Sequence, residues 1–233
     1  MQENKLSRPD LEVEDHTVTG KLLKRDLSRL LAPNSTILDI GANRGQFALE
    51  VLEVLSEVKI YSFEPVKGAF EDLKSLSAEH PQIIPQESAV SLKTGQTTFH
   101  VTESDVGSSL LEPLPNQPSK WLTLTEKVTV NTTRLDDFIE SGTFDKLPID
   151  LLKVDAQGAD MEVVLSAGKF LHPSTIKAIL VEVNFTIFYD SQKPYHEIFA
   201  VLDKHGYRLA WLYPHRSHEE WLWWADALFI GKE

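Results

Sequence analysis

The chain has 233 residues, 42% hydrophobic and 25% charged, with a formal net charge of −12 and no cysteine. That length suits one large domain with a buried core. The acidic balance argues against nucleic acid and membrane surfaces as partners, and the absence of cysteine excludes disulfides, thiolate nucleophiles and Cys-ligated zinc.

Met1 to Asp15 is polar, with no apolar core of the signal-peptide kind, and no apolar run reaches the ~20 residues of a membrane span. A cytoplasmic protein is expected. Leu22, Leu23, Leu27, Leu30 and Leu31 form a helical stripe over His16–Leu31, closed by Pro33-Asn34. Thr36–Ile40 then reads as a strand, Arg44–Ser56 as a helix, Val58–Phe63 as a strand and Val66–Glu79 as a helix. Gln82–Val90 reads as a third strand, interrupted by Pro85. Such alternation predicts a parallel sheet with helices on both faces.

The middle departs from this rhythm. Thr97–Val101 and Lys127–Thr132 alternate polar and apolar residues like an antiparallel ribbon, and the proline-bearing stretch Glu103–Glu126 between them reads as a lid or a disordered loop. The alternation resumes with strand Ile149–Val154, helix Gly158–Phe170, strand Ile176–Val183 and helix Tyr195–His205. Two strand-like runs, Tyr207–Tyr213 and Trp223–Ile230, follow with no helix between them, so this last pair is expected to be antiparallel. The expected organisation is an N-terminal helical segment, 1–35, followed by one α/β domain, 36–233, with a ribbon and loop inserted at about 95–133.

Ile37-Leu38-Asp39-Ile40-Gly41-Ala42-Asn43-Arg44-Gly45 is the strongest local signal. An apolar strand ends in an acid, and a Gly-x-Asn-x-Gly turn opens a helix whose N–H groups face a bound ligand. Gln46 stands where a dinucleotide loop would place its last glycine. Glu64 ends the second strand, where a carboxylate can accept both hydroxyls of a ribose or cap the helix that follows. Ser88 and Ala89 close the third run, where a side chain and a backbone N–H could read an adenine edge. Asp155 ends the fourth strand, either facing the crevice at the carboxyl ends of the strands or capping the next helix.

Asp39-Ile40-Gly41-Ala42-Asn43-x-Gly45, Phe63-Glu64-Pro65, Ser88-Ala89-Val90, Gly107-Ser108-Ser109-Leu110, Thr133-Arg134-Leu135-Asp136-Asp137 and Leu152-Lys153-Val154-Asp155 occur in the order seen in FkbM-type methyltransferases. Together with Leu180-Val181-Glu182-Val183 and His205-Gly206-Tyr207, the chain resembles that family from about Thr36 to Ile230. The resemblance implies a class I Rossmann-like α/β fold. Its sheet is mostly parallel and seven-stranded, with an antiparallel C-terminal strand and helices on both faces. It further implies S-adenosyl-L-methionine as cofactor and O-methylation of a small-molecule hydroxyl of sugar or natural-product type. Cofactor contacts fall on Asp39, Gly41, Asn43, Gly45, Glu64, Ser88, Ala89 and Asp155. One departure is local: the family usually reads Lys-x-Asp-x-Glu-Gly-x-Glu after the fourth strand, and here Gln157 and Asp160 replace the two glutamates.

Methyl transfer from a sulfonium needs in-line alignment, and an alcohol must also lose its proton to a nearby base. The candidates are Asp155, Glu182 and the late histidines His215 and His218. Asp155, Glu182 and Asn184 could together hold a divalent cation such as Mg²⁺. The tryptophans Trp121, Trp211, Trp221, Trp223 and Trp224 suit either sugar faces or half-buried packing. A nicotinamide-dependent oxidoreductase would use a similar glycine turn and strand-end acid, but the missing third glycine and the terminal strand pair count against it. A non-catalytic nucleoside-binding module is the other alternative.

Overall fold

The computed structural model describes residues 16–115, 120–144, 147–214 and 222–232. Its elements follow the expected alternation: α1 (His16–Leu30), β1 (Ser35–Ile40), α2 (Gln46–Val54), β2 (Val58–Phe63), α3 (Lys67–Glu79) and β3 (Ile83–Gln86). After β4 (Ala89–Val90), β5 (Gly95–Thr102), β6 (Leu124–Thr133) and α4 (Leu135–Glu140) come β7 (Ile149–Val154), α5 (Asp160–Ser166), β8 (Ile176–Asn184), α6 (Tyr195–Lys204), β9 (Tyr207–Pro214) and β10 (Trp224–Gly231).

Seven strands form the main sheet in the order β3-β2-β1-β7-β8-β10-β9. The strands β3, β2, β1, β7 and β8 run parallel, while β10 enters between β8 and β9 antiparallel to both. The last pair is therefore antiparallel, as expected, and the topology differs from that of a plain dinucleotide-binding sheet. Central strands buried on both faces read as continuous apolar runs, and all six residues of β1 are buried.

Side chains alternate between two cores. Leu38, Ile40, Leu152, Val154, Ile179 and Val181 point to the face covered by α4, α5 and α6. Ile37, Leu151, Ala178 and Leu180 point to the face covered by α1, α2 and α3, where Leu23 and Leu27 of α1 and Leu31 just after it are buried. Helices thus lie on both faces. The aromatics Trp121, Trp223 and Trp224 form a third cluster around Leu122, Phe188 and Tyr189, with Trp121 and Trp224 rings 6.2 Å apart. Those rings pack against each other, as the packing alternative holds, whereas Trp211 on edge strand β9 is exposed. Trp221 lies outside the described residues.

Three expectations need correction. The third strand does not run to Val90. It stops at Gln86, and Ala89-Val90 pairs instead with Thr132-Thr133 in a second sheet, order β4-β6-β5. Pro85 is tolerated because β3 is an edge strand of the main sheet. The second helix begins at Gln46 rather than Arg44, since Asn43 and Gly45 adopt left-handed φ of 47° and 92°. The helix expected over Gly158–Phe170 is shorter: Gln157 and Gly158 are left-handed, α5 ends at Ser166, and Gly168 (φ 51°) starts a separate 3₁₀ turn. The described part of the 103–126 stretch is built into the body. His100 and Ser109 exchange backbone hydrogen bonds, and the Leu114 N–H donates to the Phe188 carbonyl at 2.9 Å.

Candidate active site

At the carboxyl ends of β1, β2 and β7 lies a cavity of about 440 Å³, within the range of small-ligand sites. Its floor is the β1–α2 turn. An ideal Cβ on Gly41 (φ 75°) would sit 1.9 Å from the Asp155 carbonyl oxygen, so only glycine lets the turn cross the end of β7. At Gly45 a Cβ would meet Leu76 of α3 at 2.5 Å. Gly41, Ala42 and Asn43 line the cavity; Gly45 supports it from behind.

Glu64 is 6% exposed and also lines the cavity. Its Oε1 accepts the Val66 N–H at 2.8 Å and its Oε2 the Asn43 N–H at 3.0 Å. The capping alternative is thus present in the geometry, and the same carboxylate ties the glycine turn to the start of α3. Each oxygen keeps a further lone pair for a ligand. Burial pushes the Glu64 carboxyl up to about 7, against the two backbone hydrogen bonds that favour its charge. Ser88 and Ala89 form the adjoining wall, and the Ser88 hydroxyl faces the carbonyls of Ala89 and Asn131 at 2.9 and 3.3 Å.

The register of β1 against β7 places Asp39 opposite Lys153. Asp39 is fully buried, and its Oδ1 lies 3.2 Å from Lys153 Nζ. Lys153 Nζ also donates to the Gly41 carbonyl at 2.9 Å, sits 3.6 Å from Asp155 Oδ2, and stands over the Phe47 ring at 5.7 Å. Burial disfavours the Lys153 ammonium, but Asp39 and Asp155 outweigh it and hold its pKa above the ordinary value. Burial raises the Asp39 carboxyl, and Lys153 opposes the shift. Asp39 therefore does not line the cavity itself; it anchors the lysine that does. Lys153 was visible in the sequence as part of a motif, but its partner across the sheet was not.

Asp155 faces the cavity and does not cap α5. No side chain caps α5; Asp160, its first residue, instead closes the preceding turn by accepting the Ala156 and Gly158 N–H groups at 2.7 and 2.9 Å. Asp155 Oδ1 accepts the Gln157 side-chain amide at 2.6 Å. The same amide nitrogen lies 3.4 Å from Glu182 Oε1, which also faces the Asn184 amide at 3.3 Å. Burial first, then Asp155, Asp160 and Asp226, raise the Glu182 carboxyl well above its usual range. Asp155, Glu182 and Asn184 do converge, but amide N–H donors occupy the space between the carboxylates. Among the described residues no group of three His, Asp or Glu side chains could hold a metal ion, so this donor set does not fit a divalent cation as arranged.

The 103–111 segment closes the side of the cavity through Asp105, Val106, Ser108 and Leu110. Arg44, next to the glycine turn, pairs with Asp105 at 2.9 Å and with Asp72 of α3. The Ser109 hydroxyl donates to the Gln157 carbonyl at 2.7 Å, and the Tyr189 hydroxyl to that of Gly107 at 2.9 Å. Sequence reasoning missed Phe47, Glu50, Phe99 and Asp226 as lining residues: the first two lie on α2 just after the glycine turn, while Phe99 and Asp226 are brought there by β5 and β10. His215 and His218 lie outside the described residues, and no described helix is long and apolar enough to cross a membrane.

With this geometry in place, the comparisons decide the class. A match to the FkbM methyltransferase domain spans residues 39–209. The chain belongs to the FkbM methyltransferase family. It is 26% identical over 194 residues to 2-O-methyltransferase NoeI of Sinorhizobium fredii, covering 80% of this chain and 78% of NoeI. To Methyltransferase 1 of Beauveria bassiana it is 25% identical over 193 residues, covering 76% and 74%. Aeropyrum pernix fibrillarin, solved with natively bound S-adenosyl-L-methionine, superposes with a TM-score of 0.51 at 14% identity over 90% of this chain and 74% of fibrillarin. An rRNA methylase from Streptococcus thermophilus gives 0.52 at 10% identity over 91% and 95%. Structural likenesses at this identity speak for the fold alone, a class I methyltransferase fold. As an FkbM methyltransferase the protein uses S-adenosylmethionine as methyl donor.

Proposed function

We propose that this FkbM methyltransferase transfers the methyl group of S-adenosylmethionine to a hydroxyl of a small acceptor of sugar type. The observation that carries the reading is the meeting of the glycine turn, Glu64 and Asp155 in one cavity, supported by the similarity to 2-O-methyltransferase NoeI. When bound, the cofactor supplies an activated sulfonium methyl. Glu64 accepts the ribose hydroxyls, the turn Gly41-Ala42-Asn43 passes beneath the nucleoside, and Ser88 and Ala89 border the adenine. Asp39 fixes Lys153, and Lys153 holds the strand-end turn through the Gly41 carbonyl. Asp155, partly exposed and facing the cavity, takes the proton of the acceptor hydroxyl at Oδ2, the oxygen beside Lys153. Glu182 stands behind it as a second acid, and His215 is retained only as a base candidate from the sequence. No step is routed through a cation.

The two-part division of the chain is read in the same way: α1 belongs to the segment 1–35, and through Gly20 and Leu23 it walls the cavity of the domain that follows. A cytoplasmic setting is part of this reading. Isothermal titration with S-adenosylhomocysteine, with NAD as control, tests the cofactor site. Transfer of labelled methyl to a panel of methyl glycosides tests the reaction. Binding of S-adenosylhomocysteine with transfer to a hydroxyl supports the reading. Binding without transfer to any hydroxyl acceptor would return the chain to a binding module, and binding of NAD alone would overturn the site.

A further inference from the structure

Two neighbouring carboxylates repel each other unless something positive or a hydrogen-bond donor stands between them; here Asp155 lines the cavity and Glu182 stands behind it. In this chain the space between Asp155 and Glu182 is taken by the side-chain amide of Gln157, 2.6 Å from Asp155 Oδ1 and 3.4 Å from Glu182 Oε1. The surrounding charges do not supply the bridge. Lys153 lies at 3.6 Å on the other oxygen of Asp155, Asp160 sits behind the turn bound to its N–H groups, and Asp226 is opposite Glu182 across β8 and β10.

The residue that carries the amide is fixed in place. Gln157 is left-handed (φ 51°), its carbonyl accepts the Ser109 hydroxyl at 2.7 Å, and Gly158 beside it leaves no room for a Cβ against the Tyr189 ring. The Gln157 Oε1 faces the Tyr189 hydroxyl at 3.3 Å. Turning the amide over would set Oε1 against both carboxylates. Asn184 adds a second amide on Glu182 at 3.3 Å.

We propose that the Gln157 amide takes the place of a divalent cation between Asp155 and Glu182, so that a neutral donor holds the two carboxylates in register and methyl transfer in this chain is independent of metal. Gln157 is thereby a positioning residue. It occupies one oxygen of Asp155 and leaves the other toward Lys153 and the cavity; the role of that oxygen as proton acceptor rests on the O-methylation reading, whereas the cation independence does not. A corollary follows from oxygen-ligand chemistry: a carboxylate at position 157 would complete a three-carboxylate set of the kind that binds hard cations.

The experiment uses the full chain loaded with S-adenosylhomocysteine and titrates Mn²⁺ alone, read by electron paramagnetic resonance. Wild type is expected to leave the Mn²⁺ signal free. The Gln157→Glu variant is expected to bind one Mn²⁺ roughly tenfold or more tightly than wild type, because each added ligand charge tightens such sites. One Mn²⁺ per wild-type chain, lost in Asp155→Asn, would overturn the proposal. So would a Gln157→Glu variant with wild-type melting and S-adenosylhomocysteine affinity but no gain in Mn²⁺ binding. If that variant does not fold, the wild-type titration still decides. The Mn²⁺ readout needs no acceptor, so failure to methylate any hydroxyl bears on the reaction and not on the bridge. Where an acceptor turns over, kcat is expected to resist chelator in wild type, and metal-dependent kcat would overturn the proposal.

Discussion

Glu64 joins three jobs in one carboxylate: it caps the start of α3, ties down Asn43, and faces the cofactor cavity. Hydrogen bonds from ribose hydroxyls to a charged acceptor contribute about 1.5–3 kcal/mol each. Glu64→Ala should therefore weaken S-adenosylhomocysteine binding by about 2 kcal/mol, close to thirtyfold, in isothermal titration. Its titration has a further consequence. The folded-state value near 7 lies above the ordinary 4.5, so the folded chain binds the extra proton between those values. Stability must fall as pH rises through that window and level off above it. The melting temperature of the ligand-free protein is expected to decline from about pH 5 to about pH 7, and Glu64→Gln should lessen that slope, the buried Asp160 carboxyl, also raised to about 7, contributing the same sign. Gly41 is constrained more severely. A Cβ 1.9 Å from the Asp155 carbonyl forces β1 and β7 apart, so Gly41→Ala should cost at least about 3 kcal/mol in denaturant unfolding and abolish measurable cofactor binding.

At the scale of elements, α1 does more than lead into the sheet. Leu27 is 1% exposed and sits in the core shared by α1, α2, α3 and the sheet. Leu27→Ala should destabilise the protein by about 3 kcal/mol, read as a lowered denaturant midpoint at unchanged slope. Because Gly20 and Leu23 on the same helix wall the cavity, that variant should also loosen cofactor binding without touching a polar contact. The stretch after β5 shows how little a missing periodicity says about order. Its described parts are held by backbone pairing at His100–Ser109 and Pro113–Tyr189, by the Arg44–Asp105 pair and by the packing of Gly107 under Trp121. These contacts are long-range, so a window of neighbouring residues contains no trace of them.

For the molecule as a whole, the cavity gathers residues of β1, β2, β7, β8 and β10 of the main sheet, of α1 and α2, and of the inserted ribbon. A ligand that binds only this assembled state stabilises all of it. S-adenosylhomocysteine at a hundredfold excess over its Kd should add about 2.7 kcal/mol to the unfolding free energy, visible as a raised melting temperature, while NAD at the same concentration should leave it unchanged.

The amino-acid sequence by itself determined the features that depend on neighbours in the chain. The strand–helix alternation came from apolar periodicity, the Gly41–Gly45 turn from residues that tolerate left-handed backbone, and the strand-end acids Glu64 and Asp155 from their places at the ends of apolar runs. The ordered motifs also carried the family. Tertiary structure decided the rest. It sent Ala89-Val90 into a second sheet, set β10 between β8 and β9, turned Asp155 to the cavity while Asp160 closed the turn before α5, and brought Asp39, Lys153, Gln157 and Glu182 into one polar network. Those outcomes depend on register between strands more than a hundred residues apart in some pairs, such as Asp39 and Lys153. Shifting a strand by one residue turns each side chain to the opposite face, so the network exists only once the sheet has closed.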